Sequence, residues 1–197
     1  MIRNVALLLF DEVEVLDFCG PLEVFGAARG PGEDQPFYVY TVAEKAEPVQ
    51  ARHGLSVNPN FTFANCPPPA LLLVPGGRGT RREIGNPALV DWVKAQAGRV
   101  ELLLSVCTGA LLLARAGLLD GLAATTHFLA FDELRALAPR TTCYPRQRYV
   151  DNGRIILAAG VSAGIDLALY VVERLLGATY ASETARFIQY DYWPCEP

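Results

Sequence analysis

Apolar residues in this chain run in short unbroken blocks rather than alternating with polar ones, at residues 5–10, 70–74 and 102–104. Blocks of that length, bounded by charged residues, glycine or proline, read as strands buried on both faces, the mark of a parallel sheet. Helical periodicity fills the gaps. Residues 86–98 read as an amphipathic helix, with Asn86 as cap, Pro87 in the first position and Leu89, Val90 and Val93 inward. Residues 110–114 form a buried helix, and residues 165–176 a long one closed by Gly177. Gly20-Pro21 predicts a helix restart with Leu22, Val24, Phe25 and Ala28 on its buried face. Alternation of Phe37, Val39 and Thr41 predicts a strand over residues 36–42, and His53-Gly54 turns a small hairpin between residues 49–52 and 55–57. Residues 123–126 read as a short strand ending at His127, and residues 128–137 as a helix. Asp151-Asn152-Gly153 marks a hairpin between residues 144–150 and 154–159, and Ser182 is expected to cap a last helix through residue 188. Strands alternating with helices imply an α/β fold whose mostly parallel sheet is covered on both faces. Its ligand site is expected beyond the carboxyl ends of the strands.

Length and charge narrow the function classes. The 197 residues suit one domain, 1–197, and the 51% hydrophobic fraction suits a well-buried sheet. Seventeen basic against 21 acidic residues give a net charge of −4, with no long run of either sign. That balance argues against nucleic acid or an anionic membrane as main partner. Five scattered cysteines, Cys19, Cys66, Cys107, Cys143 and Cys195, contain no C-x-x-C pair, so neither zinc nor a redox dithiol is expected and a reduced cytoplasm fits. The apolar core of the first strand is too short for secretion or membrane spanning.

The chemistry gathers at Cys107. It sits where a buried strand gives way to a buried helix, so the chain must turn within residues 106–109. Such a nucleophile elbow lifts the side chain above the sheet and lays it against the amino end of a helix, whose free N–H groups stabilise a thiolate. Gly109 permits the close backbone approach this turn demands. The plainer reading of Cys107 is a small buried hydrophobe. Three further features fall at carboxyl ends of strands: Asp17, Gly76-Gly77 and Gly160-Val161. Cys107 would attack an electrophile, the N–H groups of Gly77 and Thr108 would hold an oxyanion, and Asp17 would move protons. Asp17 read alone is equally a helix cap. An ionised carboxylate beside the sulfur raises the thiol pKa, whereas a protonated one donates to a thiolate, so the pair is expected to share a proton.

These residues resemble the ThiJ/PfpI superfamily of the class I glutamine amidotransferase-like fold. The resemblance spans essentially the whole chain through LDFCGPLEVF, LLLVPGG, SVCTGALLLARAGLLDG, ATTH and AAGVSAGIDLALYVVERLLG. It implies a flavodoxin-like three-layer sandwich. Asp17 with Cys107-Thr108 resembles the isocyanide hydratase branch, in which an aspartate replaces the glutamate that partners the cysteine in several other branches. Protease-like members carry histidine directly after the cysteine, where this chain has Thr108. Full glutaminases place a catalytic histidine late in the chain, a position that neither His53 nor His127 fits.

The resemblance implies hydration of an isocyanide to an N-substituted formamide through a thioimidate on Cys107, with Asp17 as acid and base and no metal or cofactor. Catalysis would fall to Cys107, Asp17 and Thr108, and substrate or oxyanion binding to Gly76, Gly77, Val161 and His127. A strand-end His127 is also an ordinary structural residue. The resemblance further implies a homodimer acting on a small-molecule electrophile. The competing reading is a ligand sensor, because the same motifs resemble the amidase-like domain of AraC-type transcription regulators. A third is a redox sensor in which Cys107 becomes a sulfinic acid bonded to protonated Asp17.

Overall fold

The structure is a computed structural model that describes residues 2–32 and 34–192; Cys195 lies outside the described residues. Its centre is a seven-stranded sheet. In chain order these strands are β1 (Arg3–Leu8), β2 (Phe37–Ala43), β5 (Phe61–Thr62), β6 (Leu71–Val74), β7 (Leu102–Val106), β10 (Tyr149–Asp151) and β11 (Ile155–Ala158). They lie side by side as β10, β11, β7, β6, β1, β2, β5. All neighbours pair in parallel except β10 and β11, the hairpin that Asp151-Asn152-Gly153 turns. Two short pairs stand apart from it: β3 (Val49–Gln50) with β4 (Ser56–Val57), and β8 (Ala123–Ala124) with β9 (Thr142–Cys143).

The unbroken apolar runs arise because both faces of the sheet are covered. Successive side chains point to opposite faces. Val5, Leu7, Leu71, Leu73, Leu102 and Leu104 therefore enter the core shared with helices α1 (Val15–Ala27), α6 (Ala163–Leu176) and α7 (Ala178–Phe187). Ala6, Leu8, Leu72, Val74, Leu103 and Leu157 enter the opposite core, with α3 (Pro87–Ala97), α4 (Gly109–Arg115) and α5 (Phe131–Leu137). Burial of one leucine side chain is worth about 2 kcal/mol, so a polar residue on either face of these strands would be costly. The result is the three-layer, flavodoxin-like α/β sandwich expected.

Several boundaries differ from the sequence reading. The first helix does not restart at Gly20-Pro21; α1 begins at Val15 and carries Pro21 inside it. Proline there forfeits the bond to the Asp17 carbonyl, one turn back. Packing compensates: Phe18, Val24 and Phe25 are buried, and a Cβ on Gly20 would sit 2.9 Å from Ile165 of α6. Residues 128–130 are not helical, and Phe128 and Leu129 are exposed, so α5 starts at Phe131. The strand expected over residues 144–150 shortens to β10. The last helix is capped by Gly177 rather than Ser182 and starts at Ala178. Asn86 does cap α3, its side chain accepting from Ala88 N.

The strand order places the functional loops. From β1 the chain moves outward to β2 and then returns to β6 on the other side of β1. The loops after β1 and β6 therefore part at a topological switch point, where open α/β sheets bind ligands. Here they are pinned together: Glu14 N donates to Gly76 O at 2.9 Å, and Val13 forms an isolated antiparallel bridge with Gly77.

Candidate functional site

Cys107 follows β7 directly and has φ +58°, the left-handed region a non-glycine residue enters at a cost. The surroundings hold it there. Cys107 N donates to Ala159 O at 2.8 Å, and Thr126 Oγ1 donates to Cys107 O at 2.8 Å. Thr108 caps α4, and the next residue has no room for a side chain: a Cβ on Gly109 would fall 2.1 Å from Val74 O. Strand, strained cysteine and helix thus make the elbow that the spacing predicts.

Asp17 approaches from the first turn of α1 and is wholly buried. Its Oδ2 accepts from Gly76 N at 2.9 Å. Its Oδ1 has no conventional donor, and the carboxyl group hydrogen-bonds with the Cys107 thiol. Burial is the main cause that raises the Asp17 pKa from 3.8 to about 7; the Gly76 N–H and the Cys107 contact pull it down, and the negative charge of Glu14 pushes it up. The Cys107 thiol is pushed up to about 12, first by burial and then by the Asp17 charge. The N–H groups of Thr108 and Val161 both bond the sulfur and work the other way, favouring the thiolate. Above about pH 7 the pair therefore keeps one proton, shared between an oxygen and a sulfur, and below it takes up a second. Moving it from sulfur to carboxylate creates a nucleophile already met by two N–H donors.

The residues singled out by sequence divide into two groups. Cys107, Asp17, Thr108, Val161 and Gly76 meet. Val161 adopts φ +50° at the mouth of α6, where its N–H turns toward the sulfur. Gly76 is required by contact, since a Cβ there would lie 2.5 Å from Thr108 N and 2.9 Å from Asp17 Oδ2. Gly77 behaves differently from the oxyanion donor expected: its N–H donates to Thr108 Oγ1 at 3.0 Å and so faces the protein. His127 stands one step back. Its Nδ1 accepts from Leu129 N at 3.3 Å, and its ring covers Gly160 so closely that a Cβ there would be 2.6 Å from Cδ2. Among the described residues no hydrogen bond links it to Cys107 or Asp17. It walls the segment that carries Val161.

Three residues at the site escaped the sequence reading. Glu14, the α1 cap residue, is held by Arg52 at 3.5 Å and His53 at 3.4 Å from the β3–β4 turn. Thr126 secures the elbow carbonyl, and fully buried Thr80 bonds Thr108 Oγ1 at 3.0 Å. Among the described residues no group of three or more histidine, cysteine or acidic side chains is placed to hold a metal ion, and no helix is long and apolar enough to cross a membrane.

The raised Asp17 pKa has a consequence for stability. Between pH 3.8 and about 7 the unfolded chain has lost this proton while the folded one keeps it, so the residue's contribution falls as pH rises through that window and then levels. Asp17→Asn removes the titration and keeps an acceptor for Gly76 N. Its stability relative to the unmodified protein should improve from pH 4 to pH 7.5, by on the order of a few kcal/mol. Denaturant unfolding across that range checks this; parallel curves for the two proteins would contradict it.

Comparison with known proteins agrees with this geometry. The DJ-1/PfpI family profile matches residues 3–174. An isonitrile hydratase of Pseudomonas putida is 34% identical over 200 residues, covering 100% of this chain and 82% of that protein. The HTH-type transcriptional regulator GbdR of Pseudomonas aeruginosa is 26% identical over 189 residues; the match takes 96% of this chain but spans only 51% of the regulator. Among solved structures, a ThiJ/PfpI family protein from Pseudomonas syringae superposes with a TM-score of 0.87 at 31% identity, covering 100% of this chain and 77% of that one. With its elbow, its strand order and these matches, the chain belongs to the DJ-1/PfpI family.

Proposed function

We propose that this protein is a cysteine-dependent hydratase that adds water to an isocyanide and releases an N-substituted formamide. The observation that carries the reading is the wholly buried Asp17 carboxyl, held by Gly76 N–H at 2.9 Å, set beside Cys107 at the strained strand-to-helix elbow, with the N–H groups of Thr108 and Val161 favouring the thiolate. An isocyanide carbon accepts a nucleophile and then needs a proton at that same carbon, and a thiol paired with a carboxyl supplies both. The match to isonitrile hydratase over the whole chain supports the same chemistry.

The steps balance without an added oxidant or metal. The thiol proton passes to Asp17 as sulfur bonds to the terminal carbon, and Asp17 returns it to that carbon, leaving a thioimidate on Cys107. Asp17 then takes a proton from water as its oxygen adds to the carbon, and that proton goes to nitrogen. The carbon–sulfur bond breaks as the new hydroxyl becomes a carbonyl, and its proton restores the thiol. Gly76 holds the carboxyl for both transfers, Thr108 and Val161 N–H groups receive the sulfur charge, and His127 closes the wall behind Val161. No full oxyanion forms on the first addition, so a Gly77 N–H turned inward is no handicap.

A second reading, a small-molecule sensor, is supported by the match to GbdR, whose other half this chain does not cover. Formamide production from a simple alkyl or aryl isocyanide separates the two. The purified protein should turn over, and Cys107→Ala and Asp17→Ala should each lose at least about 10³-fold in kcat/KM. A folded protein whose Cys107 is alkylated readily but which makes no formamide would overturn the hydratase reading and favour sensing.

We further propose a homodimer in a reduced, cytoplasmic setting. Light scattering at working concentration should give twice the chain mass; a monomer would refute the pairing.

A further inference from the structure

We propose that Thr80 is a positioning residue of this site, whose hydroxyl closes a hydrogen-bonded ring that sets the Gly76-Gly77 backbone and, through it, Asp17 and Thr108. Thr80 opens the one-turn helix α2 (Thr80–Glu83), has no exposed surface, and its hydroxyl bonds Gly77 and Thr108 rather than either reacting group. Two hydroxyl protons serve the ring. Thr80 Oγ1 lies 2.7 Å from Gly77 O and 3.0 Å from Thr108 Oγ1, and Thr108 Oγ1 lies 3.1 Å from Gly77 O, so the two hydroxyls donate between them to Gly77 O and to one another. Gly77 N–H donates to Thr108 Oγ1 at 3.0 Å and closes the ring. Both polar atoms of Gly77 are thereby held by two buried hydroxyls.

That grip reaches the chemistry in two ways. Gly77 has φ +129°, a region only glycine occupies freely, so its peptide plane needs partners to keep one orientation. Fixing it fixes the preceding residue, Gly76, whose N–H bonds the proton-carrying carboxyl of Asp17. The same ring anchors the Thr108 side chain, and with it the Thr108 N–H that meets the sulfur. Losing the Thr80 hydroxyl takes the 2.7 Å bond from Gly77 O and the 3.0 Å bond from Thr108 Oγ1, and leaves the loop to the longer 3.1 Å contact between them in a dry site, where a missing hydrogen bond is expensive.

The kinetic arm of the test rests on the hydratase reading, whereas the alkylation arm needs only a reactive Cys107. Thr80→Val keeps the shape and removes the hydroxyl. It should shift the pH midpoint of Cys107 alkylation by iodoacetamide by about half a unit or more. It should also lower kcat for isocyanide hydration about tenfold with KM changed less than about twofold. Thr80→Ser should restore both, and Thr80→Ala carries the test if the valine variant does not fold. A hydroxyl-free variant with the unmodified alkylation profile would overturn the positioning role, whatever its melting temperature. A shifted profile in a protein that hydrates no isocyanide would uphold Thr80 and overturn the proposed substrate instead.

Discussion

A carboxyl group with no exposed surface cannot shed its proton at the ordinary pH, and the site depends on that constraint. Burial of Asp17 beside Cys107 raises both groups, so the pair retains at least one proton through neutrality. A bare thiolate in this environment would be costly, and a lone thiol would be inert. In the proposed chemistry, sharing a proton avoids both extremes, because charge would be created only as an electrophile takes the sulfur electrons. The N–H groups of Thr108 and Val161 are oriented before that moment, which removes the reorganisation that water would need.

The fold exists around this pair in a specific sense. Parallel strands buried on both faces put the carboxyl ends of β1, β6 and β7 side by side, and each contributes one part: Asp17 after β1, Gly76 after β6 and Cys107 after β7. The beginning of α6 supplies Val161 from beyond β11. Glycine appears where backbones must touch. A side chain at Gly76 would strike Thr108 and Asp17, and one at Gly109 would strike the end of β6. Strain at Cys107 and Val161 is sustained because the bond from Thr126 to the Cys107 carbonyl, the bonds from Cys107 N–H to the Ala158 and Ala159 carbonyls and the packed wall of His127 leave the chain no relaxed alternative.

Much of this was legible in residue order, and the failures share a cause. Runs such as Leu71 to Val74 announce doubly covered strands because both faces need apolar side chains. Cys107 and Asp17 were legible because a lone cysteine at a strand-to-helix junction and an aspartate among apolar residues are both costly unless used. Pro21 misled because local preference puts proline at a helix start, whereas contact between α1 and α6 outweighs one lost hydrogen bond. Gly77 misled because a glycine-rich loop advertises N–H groups without saying where they point. Thr80 and Thr126 carry no local signal of the site: Thr108 and Cys107, the residues that tie them to it, lie 28 and 19 residues away, and a threonine bonded across space looks like any other.

The proposed hydration requires Cys107 to form a covalent adduct by addition, with no leaving group. Rapid mixing of the protein with excess isocyanide, acid quench and intact-mass analysis tests it directly. The expected gain equals the full mass of the isocyanide, located by digestion on the peptide bearing Cys107 and absent in Cys107→Ala. Formamide release with no adduct on Cys107, or an adduct that maps to another residue, would contradict it.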